Sequence, residues 1–347
     1  MPITTTTIGA FPKPDYLPVS DWFTRNEEAD YTGVYLDEVA SMGDEAEALF
    51  VRATADVIND QLEAGIDIPT DGEVRRENYV HYQCRHVDGI DFENLTEFNL
   101  RGFIPRRLPT IVSRLTAGEP FLFRDYEIAQ ATTDIPVKIT LPGPMTIGDS
   151  TANAFYGDNG QMGADLAAIL NAEILRLAAA GCTHIQVDEP ILARQPQAAL
   201  DYGIENLAAC FEGVPVGVTR IVHACCGYPT RLDEADFLKA EQSAYTDIAD
   251  RLDAAPIDQV SLEDAHRHND LAELLPRFEQ TSVILGMIAI ARSEVESVED
   301  VAGRLERALE FLPPERLIAA PDCGLGYLGR DLAIEKLRVL TQAARRL

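Results

Sequence analysis

The sequence predicts an α/β protein built as a (β/α)8 barrel of the TIM type, and three observations carry that expectation. Eight short apolar or β-branched runs read as buried parallel strands. Stretches of helical periodicity lie between them. No Gly-rich dinucleotide fingerprint follows any run, which disfavours the alternative of an open, doubly wound sheet.

The strands are expected, in order, at Thr4 to Ile8, Ile66 to Thr70, Pro136 to Leu141, His184 to Val187 and Arg220 to Ala224, then at Gln259 to Leu262, Val283 to Ile290 and Leu317 to Ala320. Met162 to Ala180 carries apolar residues at helical spacing and stops at Gly181, a helix C-terminal signal. Asp270 to Glu279, Val295 to Phe311 and Arg330 to Leu347 read the same way, the last closing in a basic turn. Two stretches exceed ordinary connections: a long excursion after strand 2, about residues 71–135, and a long connection after strand 5, residues 226–257, with a helix of its own. Long insertions in barrels often cover the active face. No linker composition splits the chain, so one barrel domain over residues 1–347 is expected.

Composition narrows the class of function. Lys and Arg number 29 against 57 Asp and Glu, a formal net charge of −28, which would repel nucleic-acid phosphates and anionic membrane surfaces. No apolar run approaches the ~20 residues that span a bilayer, and MPITTTTIGAFPKP lacks the basic start and apolar core of a signal peptide. Six cysteines, two of them adjacent, do not read as a disulfide framework. The expectation is a cytoplasmic protein with a small-molecule substrate.

Residues that end barrel strands converge on one mouth, and here they are rich in chemistry: Ile8-Gly9-Ala10, Asp71-Gly72-Glu73, Pro142-Gly143-Pro144, Asp188-Glu189-Pro190, His223-Ala224-Cys225-Cys226, Glu263-Asp264-Ala265-His266 and Asp322-Cys323-Gly324. His223 and Cys225 stand two apart on a strand and so project to the same side. With Cys323 and Glu263 they offer a zinc ion one nitrogen, two thiolates and a carboxylate, the pattern of a catalytic site with an exchangeable position. The plain alternative is a buried histidine with small, inert cysteines. Asp188 and Glu73 could grip a substrate ammonium, the alternative being structural ion pairs with an arginine such as Arg75 or Arg194. Pro142-Gly143-Pro144 reads as a rigid turn, with close substrate approach as the sharper possibility. His266 and His268 suit supporting rather than ligating roles.

The ordered set TTTIGAFPKP, DIPTDGEVRREN, LPGPMTI, IQVDEPIL, VHACCG, VSLEDAHR and LIAAPDCGLG closely resembles the cobalamin-independent methionine synthase family, specifically its carboxyl-terminal catalytic barrel. The resemblance runs from about Thr4 to the last helix. It implies a TIM-type barrel that uses Zn2+ to move a methyl group onto a thiol. By position, His223, Cys225 and Cys323 match the family's zinc ligands, and Glu263 falls where a glutamate ligand occurs. Asp188 and Glu73 match residues that hold the homocysteine ammonium, and Ile8, Gly9 and Ala10 the segment that receives its carboxylate.

The departures bear on the donor. Ala10 stands where the family usually has serine, and Ala291 where methionine synthases place a histidine that handles protons. Ser150 lies near the expected folate-stacking tryptophan, and Trp22 is the only tryptophan. The amino-terminal half that helps full-length synthases bind polyglutamyl folate has no counterpart. The resemblance therefore implies a methyltransferase acting on homocysteine or a similar amino-acid thiol to give methionine, with a folate or a methylcorrinoid as donor. The alternatives are a zinc-dependent thiol alkyltransferase of the epoxyalkane:coenzyme M type and a non-catalytic zinc- or ligand-binding barrel.

Overall fold

Residues 2–23, 31–100, 104–229, 231–234 and 237–347 are described by a computed structural model of the chain. Its strands are β1 (Thr4–Thr5), β2 (Val87–Leu100), β3 (Ile104–Ala117), β4 (Ile139–Pro142), β5 (Ala152–Asn153), β6 (His184–Asp188), β7 (Thr219–Ala224), β8 (Gln259–Leu262), β9 (Ser282–Ile288) and β10 (Leu317–Pro321). Seven of them form one parallel sheet in the order β1-β10-β9-β8-β7-β6-β4. Two further parallel bridges, Thr6 to Ile68 and Thr70 to Lys138, join the edges of that sheet through residues 68–70. The sheet thus curls into the expected barrel, with helices packed outside it.

The second expected strand, Ile66 to Thr70, is reduced to those two bridges. Pro69 has no N–H to give to a ladder, though its carbonyl still accepts from the Lys138 N–H at 3.0 Å or less, at 2.8 Å. The other strands lie within two or three residues of expectation. The helix Asn159–Ala179 ends as anticipated, with Gly181 at φ +101°. The Asp270 to Glu279 stretch is instead one turn, Leu271–Leu274, continued by a 3-10 turn that contains Pro276.

The excursion after residue 70 carries the short helix Tyr79–Cys84, a hairpin of β2 on β3 and the helix Leu122–Gln130. The connection after β7 carries its own helix, Ala244–Asp253. A continuous apolar core runs from Ile3 to Ala344, and a small interior cluster of Ile8, Ile221, Ile284, Ile318 and Ala320 plugs the barrel. Burial at ~25 cal/mol per Å2 of apolar surface makes this core the main stabilising term. No helix among the described residues is long and apolar enough to cross a membrane.

Candidate functional site

At one end of the barrel mouth, β7 presents His223 and the residue just beyond it presents Cys225, while Cys323 arrives from the turn after β10. His223 Nε2 lies 3.2 Å from Cys323 Sγ, and its Nδ1 lies 2.9 Å from Ser261 Oγ on the adjacent strand β8. Ligand atoms of His223, Cys225 and Cys323 all fall within 4.8 Å of one another. Atoms bound at zinc distances around one ion sit about 3.3–3.8 Å apart, so this spacing fits a shared metal with small side-chain adjustments. The hydrogen bond from the neighbouring Cys323 thiol, with help from His223, holds the Cys225 thiol well below the ordinary thiol range. Burial opposes charge on His223, but its contacts with Cys225 outweigh that and raise it. A thiolate–imidazolium pair that needs mutual support is what a cation would replace, so the donor set can hold a metal.

Glu263 is not in that cluster. Its carboxylate is paired with Lys239, its backbone N–H donates to the Tyr245 hydroxyl at 3.1 Å, and burial raises it to about 7. Cys226 turns the other way into the apolar core, and burial raises its thiol to about 12. Adjacent residues on an extended segment face opposite sides, which separates Cys225 from Cys226.

Across the same cavity stand the two carboxylates. Asp188 ends β6, and its Oδ1 accepts from Gln186 Nε2 at 2.7 Å; the same Nε2 also donates to the Ile8 carbonyl at 2.7 Å. Glu73 takes φ +55°, unusual for a residue with a side chain, and its Oε1 accepts from Thr140 Oγ1 at 2.7 Å and faces Arg76 Nη1 at 3.3 Å. A Cβ on Gly9 would come within 2.7 Å of Glu73 Oε1, so only glycine lets that turn close over the carboxylate. Burial raises Asp188 to about 7 and raises Glu73 as well despite its ion pair with Arg76; Asp188 itself has no ion-pair partner among the described residues. The alternative of a structural arginine pair is realised for Glu73 by Arg76; Arg75 goes to Glu47 and Asp125, and Arg194 pairs with nothing among the described residues.

Ile8, Gly9, Ala10, Glu73, Asp188, His223, Cys225 and Cys323 line one pocket. Glu189, next to Asp188, does not. It is buried, accepts from the Met145 N–H at 2.9 Å and the Thr146 hydroxyl at 2.5 Å, and sits where a Cβ on Gly143 would meet it at 2.1 Å. The Pro142-Gly143-Pro144 turn is therefore a structural joint with Glu189. Position 291 is likewise structural: the N–H groups of Ile290 and Ala291 donate to His266 Nε2 at 3.1 and 3.3 Å, and burial above all lowers His266 to about 3. His266 is a neutral acceptor there, so it supplies no proton in place of the family histidine.

Sequence reasoning missed the pocket's aromatic wall. Trp22 stacks on Tyr228 with ring centroids 5.3 Å apart and tilts against Tyr79 at 5.9 Å. Tyr228 is fixed by its hydroxyl, which donates to the Gly324 carbonyl at 2.8 Å, beside Cys323. Ser150, Asp149 and Arg194 complete the far side. The one tryptophan of the chain was the available signal, but nothing local places residue 22 against residue 228.

The profile of the family described as "Cobalamin-independent synthase, Catalytic domain" matches residues 3–346. The methionine synthase of Sulfolobus acidocaldarius is 29% identical over 96% of this chain and 88% of its own length, and that of Saccharolobus solfataricus is 29% identical over 96% and 91%. A solved B12-independent methionine synthase from a Shewanella species, in complex with selenomethionine, superposes with a TM-score of 0.85 at 28% identity, covering 99% of this chain and 97% of that one. A Listeria monocytogenes structure described as a putative vitamin-B12 independent methionine synthase, 17% identical with a TM-score of 0.70 over 99% and 98%, shares the fold.

Proposed function

Because the chain belongs to the cobalamin-independent synthase family and is a methyltransferase, we propose that it transfers a methyl group to the thiol of homocysteine, giving methionine, at a zinc site formed by His223, Cys225 and Cys323. The observation that supports this reading is the pairing, in one pocket, of a His-Cys-Cys cluster with two buried carboxylates, of which Asp188 has no ion-pair partner among the described residues. An amino-acid thiol spans that gap, with sulfur at the cluster and ammonium at Asp188 and Glu73.

Zinc bound there would supply a thiolate at neutral pH, because metal charge stabilises the sulfur anion. The protein's own residues do the rest. Ser261 fixes the ring of His223 so that Nε2 faces the cluster. Gln186 ties Asp188 to the Ile8 carbonyl and so holds the ammonium and carboxylate subsites in register. The N–H groups of Gly9 and Ala10 point no hydrogen bond elsewhere among the described residues and suit the substrate carboxylate. Trp22, Tyr79 and Tyr228 wall off water from the sulfur. Holding both reactants in this geometry is the main contribution to rate. The thiol gives up its proton to solvent on binding. Its sulfur then bonds to the methyl carbon as the bond from that carbon to the donor breaks. The electron pair leaves with the donor, which takes up a proton where it is a folate. Glu263 is paired with Lys239 and feels the charge of Cys225; freed from that pair, it would be a candidate for a further metal ligand.

The test is methionine formation by the purified chain from homocysteine and a methyl donor, alongside elemental zinc analysis. Stoichiometric zinc and methionine formation that Cys225→Ser abolishes are expected. Methyl transfer that persists without zinc would overturn the proposal.

A further inference from the structure

Arg194 is the residue the reaction scheme leaves unused. It closes the four-residue helix Ile191–Arg194 that follows β6, six positions after Asp188, and it lines the same pocket as the cluster. Among the described residues its guanidinium makes no hydrogen bond and no ion pair, and its Nε is buried without a partner. Other arginines with an orphaned Nε, namely Arg75, Arg76, Arg277 and Arg316, each engage a carboxylate or a carbonyl through their terminal nitrogens. Arg194 alone of that set engages nothing. Asp149, an acid that lines the same pocket, accepts from Gln195 Nε2 at 3.1 Å. Arg194 nonetheless acts on the pocket: its positive charge reaches the Tyr79 hydroxyl and the Cys225 thiol.

Arg194 is half-buried, with its Nε sealed off and its terminal nitrogens not; buried polar groups in folded proteins are almost always satisfied. A guanidinium presents its donors as a planar fork that matches a carboxylate bidentately. We propose that Arg194 is a carboxylate-binding subsite of this pocket, in addition to the Gly9 and Ala10 N–H groups. The inference rests on the proposed methyl transfer to an amino-acid thiol. The carboxylate has two sources, the amino acid itself or a carboxylate-bearing methyl donor such as a folate with its glutamate.

Arg194→Gln separates them, because glutamine keeps bulk and polarity while losing charge. The acceptor arm compares calorimetric binding of homocysteine with that of 3-mercaptopropan-1-amine, which keeps thiol and ammonium but lacks the carboxylate. If Arg194 holds the acceptor, wild type prefers homocysteine about ten- to a hundred-fold, the range of one charge-assisted pair, and Arg194→Gln loses most of that preference. If it holds the donor, homocysteine affinity stays constant while calorimetric affinity for methyltetrahydrofolate falls and that for methylcobalamin, which has no carboxylate, does not. Arg194→Lys should restore part of either effect, as a mere packing role would not. Unchanged affinity for homocysteine and for both donors in Arg194→Gln would overturn the proposal. Wild type that binds no homocysteine at all would instead sink the reading of function on which it rests.

Discussion

His223 Nε2 stands 3.2 Å from the Cys323 sulfur although 100 residues separate them in the chain. The barrel makes that contact, since β7 and β10 both deliver their C-terminal ends to one mouth. Three ligands from two strand ends predict one zinc per chain, lost or much weakened in Cys225→Ser and in Cys323→Ser. Cys226→Ser should bind zinc normally, because Cys226 faces the core. Elemental analysis checks all three, and a zinc-free Cys226→Ser would show that the register of this strand end is wrong.

The donor side of the pocket predicts a preference. Ser150 lies in the wall where an aromatic platform is expected for a folate, and the chain's one tryptophan packs instead on Tyr228. Methyltetrahydrofolate should therefore serve weakly or not at all, and methylcobalamin or a methylcorrinoid protein should serve better. Steady-state rates with each donor decide it; efficient turnover with the folate triglutamate, equal to that with a corrinoid, contradicts it.

Asp188 predicts a pH dependence. Burial raises its carboxyl to about 7, so it loses its charge as pH falls through neutrality, and an ammonium ligand loses its partner. Methionine carries the ammonium without a thiol proton to confuse the reading. Its affinity should fall about tenfold from pH 8 to pH 6, the drop in ionised fraction for a group titrating near 7. Asp188→Asn should flatten the profile; an equal slope in the variant would assign the titration elsewhere.

Lys138 predicts an effect on stability. It is fully buried in the barrel, its Nζ has no hydrogen-bond partner, and burial lowers it from 10.5 to about 7. Between those values the unfolded chain keeps a proton that the folded chain has released, so this group makes stability rise with pH from about 7 to 10.5 and costs most below 7. Lys138→Met should stabilise the fold at pH 6 by on the order of a few kcal/mol, seen as a higher thermal midpoint, with the gain shrinking towards pH 10. Thermal unfolding at both pH values measures it, and a lower midpoint at pH 6 would show that the ammonium is stabilising.

Much of the barrel and of the mouth was legible because both rest on local signals. A buried parallel strand is a short apolar run, and its end carries the chemistry, as Asp188, His223 and Cys225 do. Interactions between distant segments were not legible. The strand expected at Ile66 to Thr70 survives only as bridges because Pro69 interrupts it. The β2–β3 hairpin was hidden because Pro105 and Pro109 break the alternation that marks a strand. The alternative reading, a pairing of Arg194 with the Asp188-Glu189 acids, does not form, since Glu189 is consumed by Met145 and Thr146 and Asp188 accepts from Gln186. Charge in a sequence names candidates for a partner; only the fold assigns them.

The central claim is that an amino-acid thiol lies between the cluster and Asp188, and calorimetric titration of wild type and Asp188→Asn with two thiols tests it most directly. A charge-assisted hydrogen bond contributes roughly 1.5–3 kcal/mol net, so Asp188→Asn should weaken homocysteine binding about ten- to a hundred-fold at unchanged zinc content. The sulfonate thiol 2-mercaptoethanesulfonate has no ammonium to lose, and its affinity should hold or improve. If wild type ignores homocysteine but binds the sulfonate, or if Asp188→Asn binds homocysteine as well as wild type does, the amino-acid acceptor is wrong and an alkyltransferase acting on a sulfonate thiol takes its place.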